Sequence, residues 1–147
     1  MGLRVSDWGP GPLYVTLHRM TGTPPARGYQ RLVVWSKAMQ LAEAVYGAVL
    51  RLPAHERYGL AAQMRGASAS IPCNIAEGYG RSSRREYVRY LTIANGSLLE
   101  LETQVLLAKR VGYLDDATAL GLLDLTSEVG RMLARMTSAL RAKLDER

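Results

Sequence analysis

The sequence predicts an all-α fold: an antiparallel, up-down-up-down four-helix bundle. Three observations carry that prediction. Apolar residues recur in alternating steps of four and three over most of the chain, the period of a helix face packed on another helix. No stretch shows the strict alternation of a half-buried strand. The helical segments are joined by short links bearing Pro or Gly, which make neighbouring helices antiparallel.

The 147 residues fit one domain, and 48% hydrophobic content suffices for a core. Residues 1–28 stand apart. Gly2, Gly9, Pro10, Gly11, Pro12, Gly22, Pro24, Pro25 and Gly28 break any helical period there. We read this stretch as a flexible arm and residues 29–147 as the bundle. Met20 is a candidate natural start. No apolar run has the length of a membrane span, and no continuous apolar segment marks a signal peptide. The expected location is the cytoplasm.

In the first helical segment Val34, Ala38, Leu41, Val45, Ala48 and Leu52 form one seam, and Trp35, Met39, Ala42, Tyr46 and Val49 a second. Pro53 ends it. The next begins near Arg57 or Tyr58, with Leu60, Met64, Ala67, Ile71 and Ile75 as its stripe and Pro72 as an expected bend. Residues 66–70 are small and allow close helix approach, and Gly78 and Gly80 are expected to end the segment. Ser83-Arg-Arg-Glu86 has the form of a capping box. Behind it Tyr87, Leu91, Ala94, Leu98, Leu101, Val105 and Ala108 make a third seam, closed by Gly112. Asp115 or Asp116 caps the fourth helix, whose seam is Leu122, Leu125, Val129, Met132, Met136 and Ala139, with Leu123, Leu133, Leu140 and Leu144 beside it. The doubled seam of the first helix is wider than one partner needs. A cyclic oligomer would cover it.

Charge supplies the functional signal. Nineteen Lys+Arg against 13 Asp+Glu leave the chain at +6, and sixteen of the nineteen are Arg. Arginine suits bidentate phosphate contacts. Arg81, Arg84, Arg85 and Arg89 crowd the start of the third helix, where free amides already favour anions. Tyr79, Tyr87 and Tyr90 stand near enough to stack on bases. Arg131, Arg135, Arg141 and Lys143 spread along the fourth helix and could extend the surface, although Arg131 could instead pair with Glu128. Lys109 and Arg110 are better explained by the helix dipole.

Other chemistry lacks its parts. One cysteine, Cys73, excludes an internal disulfide, and its place after Pro72 suggests a buried small side chain. No histidine follows His55, so a di-iron bundle site lacks its Glu-x-x-His motifs, and on the same reading zinc catalysis and a Ser-His-Asp triad lack their parts. No cofactor or metal is expected. Asn74, Glu77, Glu100 and Gln104 read as a structural polar network near the core, Asn74 answering backbone groups freed by Pro72. A carboxylate acid/base or metal site is the sharper alternative. Gly78-Tyr-Gly-Arg-Ser-Ser83 lacks the strand and lysine of a phosphate loop and reads as a turn.

The strings Tyr58-Gly-Leu-Ala-Ala-Gln-Met-Arg65, Ser70-Ile-Pro-Cys-Asn-Ile-Ala-Glu-Gly-Tyr-Gly80 and Ser97-Leu-Leu-Glu-Leu-Glu-Thr-Gln104 resemble the 23S rRNA intervening-sequence family, to which the accessory variability protein of diversity-generating retroelements is related. The likeness spans roughly Tyr29 to Arg141. It implies a barrel-shaped homopentamer, no enzymatic activity, and a basic surface for RNA or DNA or for a nucleic-acid enzyme such as a reverse transcriptase. Cys73 stands where the family commonly has Ser, and Gly66 where a basic residue is usual. Of the three readings that remain, a non-catalytic oligomeric nucleic-acid-binding module is preferred over a protein-interaction scaffold and over an enzyme with an unrecognised carboxylate site.

Overall fold

The computed structural model describes residues 28–146; the arm predicted for residues 1–28 lies, but for Gly28, outside them, as does Met20. The described chain is all-helical, with four long helices: α1 Val33–Ala48, α2 Leu60–Tyr79, α3 Arg84–Arg110 and α4 Asp116–Asp145. Short 3-10 turns precede α1 at Gly28–Arg31 and fill the α1–α2 link at Val49–Arg51 and Ala54–Glu56. Each helix packs on its sequence neighbours, and α1 closes the ring on α4. No strand occurs among the described residues, and none of their helices is long and apolar enough to cross a membrane.

The seams form the core. Val34, Ala38, Leu41, Val45, Ala48 and Leu52 are all buried, as are Leu91, Ala94, Leu98, Leu101, Val105 and Ala108. The second seam of α1 divides: Ala42 and Val49 are buried, whereas Tyr46 is exposed. The core line of α4 runs through Ala119, Leu122, Thr126, Val129 and Leu133, between the two predicted rows, and Ala139 is exposed.

The caps explain the boundaries. Ser83 Oγ accepts the Glu86 N–H at 3.1 Å, but the Glu86 carboxylate turns toward Arg89, so only half of the capping box forms. Asp115 is the cap of α4, accepting the Thr118 N–H at 2.7 Å. Gly112, at φ 83°, takes the left-handed conformation. There the Tyr113 N–H bonds Ala108 O at 2.9 Å and the Gly112 N–H bonds Lys109 O at 3.0 Å, a Schellman stop. α2 begins at Leu60, later than expected, because the Glu56 carboxylate takes the Leu60 N–H at 2.9 Å and holds the preceding loop out of the helix.

Three sequence expectations in α2 are corrected. Gly78 does not end the helix but lies inside it: a Cβ there would stand 2.7 Å from Tyr90 Cβ, so this glycine sets the α2–α3 approach. A Cβ on Gly66 would meet nothing within 4 Å. Cys73 is exposed, because the helix turns it away from the face carrying Ile71, Pro72 and Ile75.

Candidate nucleic-acid interface

Antiparallel packing brings the α2–α3 link and the end of α4 to one end of the bundle. The link is short, and Ser83 fixes where α3 starts. The Arg84 guanidinium then reaches the last turn of α4 and donates to Lys143 O at 3.1 Å. The start of α3, with Arg84, Arg85 and Arg89, and the end of α4, with Arg141 and Lys143, therefore lie at the same end of the bundle. All five are exposed. Arg85, Arg141 and Lys143 make no side-chain ion pair among the described residues. Arg89 is loosely paired, 3.9 Å from Glu86.

Arg81 differs. Its Nη2 donates to Glu77 Oε1 and to the Tyr90 hydroxyl, each at 2.6 Å, and the guanidinium lies 4.7 Å from the Tyr90 ring centre. The Glu77 hydrogen bond, with Tyr90, pushes its pKa upward. Arg81 is thus engaged by Glu77 and Tyr90, whereas Arg85, Arg141 and Lys143 have no such partners among the described residues.

The tyrosines are also occupied. Tyr87 packs edge-on to Tyr79, ring centres 6.2 Å apart, and its hydroxyl points to Met136 Sδ at 3.9 Å. Burial pushes the Tyr87 pKa up to about 12. Tyr90 lies under Arg81. Tyr79 is 44% exposed, and a Cβ on Gly28 would displace its hydroxyl end. Tyr87 and Tyr90 thus brace the end of the bundle rather than offer open faces to bases.

The remaining predicted cations lie higher on α4. Arg135, eight residues from Lys143, is about 12 Å away along the axis, beside a shallow apolar depression lined by Leu32, Val33, Val34, Met132 and Met136. Arg131 donates to Ser127 Oγ at 2.7 Å. It does not pair with Glu128, which instead binds Lys37 of α1 at 3.1 Å.

The four polar residues grouped by sequence do not form one network. Asn74 Nδ2 donates to Ser70 O at 2.8 Å and to Ser70 Oγ at 2.9 Å. Ser70 Oγ meets Ser97 Oγ of α3 at 2.8 Å, which makes this the interhelical link. The carbonyl that Pro72 leaves without an N–H belongs to Ser68, one helical turn before it, so Asn74 answers a different group. Glu77 and Glu100 are both exposed. Glu100 stands about 200° round the helix from Leu98 and about 100° from Leu101, which carries it off the core face. It accepts Gln104 Nε2 at 3.3 Å. Gln104 is buried, and its Oε1 has no partner among the described residues. Glu77 and Glu100 do not converge, and no group of three metal-ligating side chains occurs among the described residues.

Sequence reasoning missed Ser97, the partner that ties α3 to Asn74 and Ser70. It also missed Glu56 and Tyr113, whose hydroxyl donates to Glu56 Oε1 at 3.3 Å at the opposite end. Serines at facing positions and an acid just before a helix are weak signals until the helix register is known.

Among the described residues, four packed helices, with Arg84, Arg85, Arg89, Arg141 and Lys143 exposed at one end, define a small helical-bundle protein. More specifically, residues 30–135 match the 23S rRNA-intervening sequence protein family, and the chain belongs to that family. A crystal structure of a protein of unknown function from the S23 ribosomal protein family of Bacteroides thetaiotaomicron superposes with a TM-score of 0.65 at 21% identity, covering 71% of this chain and 98% of that one. That likeness shows the fold. No curated protein matches the chain.

Proposed function

We propose that this protein is a non-catalytic, oligomeric accessory factor that binds the backbone of RNA or DNA through the end carrying Arg84, Arg85, Arg89, Arg141 and Lys143. The observation that carries this reading is the hydrogen bond from Arg84 to Lys143 O, which joins two cation groups far apart in sequence. Phosphate contacts of this kind give affinity with little base discrimination. The family's description, which refers to 23S rRNA, supports RNA as the ligand. Arg131 and Arg135 lie farther along α4 and serve as a peripheral extension.

A homopentamer is the assembly proposed, and repetition around a ring would sum the potential of the basic ends. Supporting it, α3 leaves Leu99 55% and Leu107 49% exposed, and α4 leaves Leu120 60% exposed. The same apolar side chains favour a second reading, a scaffold for a nucleic-acid enzyme such as a reverse transcriptase with no direct nucleic-acid contact.

A salt-titrated binding assay with an arbitrary duplex separates the two. The first reading expects log K to fall linearly with log salt, by about 0.9 per phosphate contact. Arg85→Ala with Lys143→Ala should reduce that slope by about two contacts. Duplex binding unaltered by both substitutions, or no binding at low salt, overturns it. Light scattering reads the assembly.

A further inference from the structure

The end of the bundle opposite Arg84 carries a different arrangement. Tyr58, in the α1–α2 link, is 86% exposed, and its hydroxyl makes no hydrogen bond among the described residues. The Arg57 guanidinium lies 5.5 Å from its ring centre. The backbone carrying this ring is fixed. Glu56 accepts the Gly59 N–H on its carbonyl at 3.0 Å and the Leu60 N–H on its carboxylate at 2.9 Å, while the same carboxylate is held by the Tyr113 hydroxyl at 3.3 Å. Arg65 Nη2 reaches back to Arg57 O at 3.1 Å. Contacts therefore hold the loop on both sides of Tyr58, yet the ring itself is left in water with one cation beside it.

Charge at this end is only partly compensated. Arg51 pairs with Asp115 at 3.4 Å and Lys109 with Asp116 at 3.8 Å. Arg57, Arg65 and Arg110 make no ion pair among the described residues. An exposed aromatic face on a held backbone, beside guanidinium groups without carboxylate partners, is how sequence-tolerant stacking sites hold an unpaired base while cations hold the adjoining phosphates. A duplex cannot use the ring, since its bases are already stacked.

We infer that Tyr58, flanked by Arg57 and Arg65, is a second nucleic-acid contact that takes an unpaired base of single-stranded RNA at the end of the bundle opposite the Arg84–Lys143 site. The 27 residues of α3 separate the two ends by about 40 Å. One subunit could then hold a structured segment at one end and a single strand at the other. The inference does not depend on the phosphate site, and the two fail separately.

The test uses the full chain with a mixed-sequence single-stranded RNA and, in parallel, a duplex RNA of equal length. Tyr58→Ala should weaken the single strand about tenfold, the scale of losing one stacked base, and leave the duplex unchanged. Tyr58→Trp should retain single-strand binding, and its emission, taken as the difference from the parent protein, should be quenched. Equal loss on both RNAs, no loss on either, or an unquenched Trp overturns the inference while leaving the phosphate site standing. A change in assembly size on Tyr58→Ala, read by light scattering, also overturns it and assigns the ring to contact between copies. Loss of single-strand binding on Tyr58→Ala, in a parent protein that does not bind duplex at all, supports this site and overturns the other.

Discussion

The Arg84 guanidinium donates to the main-chain oxygen of Lys143 at 3.1 Å, across 59 positions of sequence, and ties the first turn of α3 to the last turn of α4. The acceptor is a carbonyl near a helix C-terminus, where the dipole favours a cation. Arg84 therefore has a structural duty that its neighbour Arg85 lacks. Arg84→Ala should lower stability by roughly 0.5–1 kcal/mol, the net value of an exposed hydrogen bond, and loosen the end of α4 in hydrogen exchange. Arg85→Ala should leave Tm unchanged and lower only the affinity for polyanions. Thermal melts and binding curves on the two single variants check the separation.

The difference between these adjacent arginines shows what the sequence could reveal. A heptad seam needs only spacing along one helix, so Val34 to Leu52 and Leu91 to Ala108 were legible as core. Caps were legible for the same reason, since Ser83 and Asp115 bond within three residues of themselves. Contacts between helices depend on their relative height and rotation, which periodicity does not encode. That is why the Arg84–Lys143 bond, the Ser70–Ser97 pair and the seating of Tyr87 on Met136 were not foreseen. The contacts of Arg81 divide in the same way: Glu77 lies one turn away and was readable, but Tyr90 acts from the next helix. Cys73 and Glu100 were placed too near the core because residues adjacent to a seam in sequence can lie on the far side of a helix.

Two glycines of α2 should respond with opposite sign. A methyl group at Gly78 would sit 2.7 Å from Tyr90 Cβ and 3.0 Å from Tyr87 Cδ2, and both neighbours are anchored. Gly78→Ala should cost about 1–3 kcal/mol, the range for forcing atoms into a packed contact. Gly66 is helical and open, so Gly66→Ala should stabilise by about 0.5–1 kcal/mol through helix propensity and reduced freedom of the unfolded chain. Denaturant melts on both variants test the pair, and equal signs would contradict the packing described.

Alkaline pH should act on the basic end through Tyr87. Burial raises its pKa from the ordinary 10.0 to about 12, so its loss of a proton favours the unfolded chain. Its contribution to stability is whole below pH 10, declines between 10 and about 12, and is lost above. Tyr87→Phe keeps the ring against Tyr79 and gives up only a weak bond to sulfur. The difference in Tm between parent and variant should therefore shift in the variant's favour as pH rises through that window. A constant difference across it would mean that the hydroxyl is freely hydrated.

Gln104 offers the sharpest test of whether α3 is complete within one subunit. It is 7% exposed; Nε2 bonds Glu100, while Oε1 is buried with no donor among the described residues. An unsatisfied buried acceptor costs about 1–3 kcal/mol, and methionine has nearly the same length without the polar atom. Gln104→Met should raise Tm in a subunit that supplies no further donor, with assembly size unchanged in light scattering. Destabilisation together with a smaller assembly would instead mean that a donor from a neighbouring copy meets Oε1, making this buried amide part of the contact between subunits.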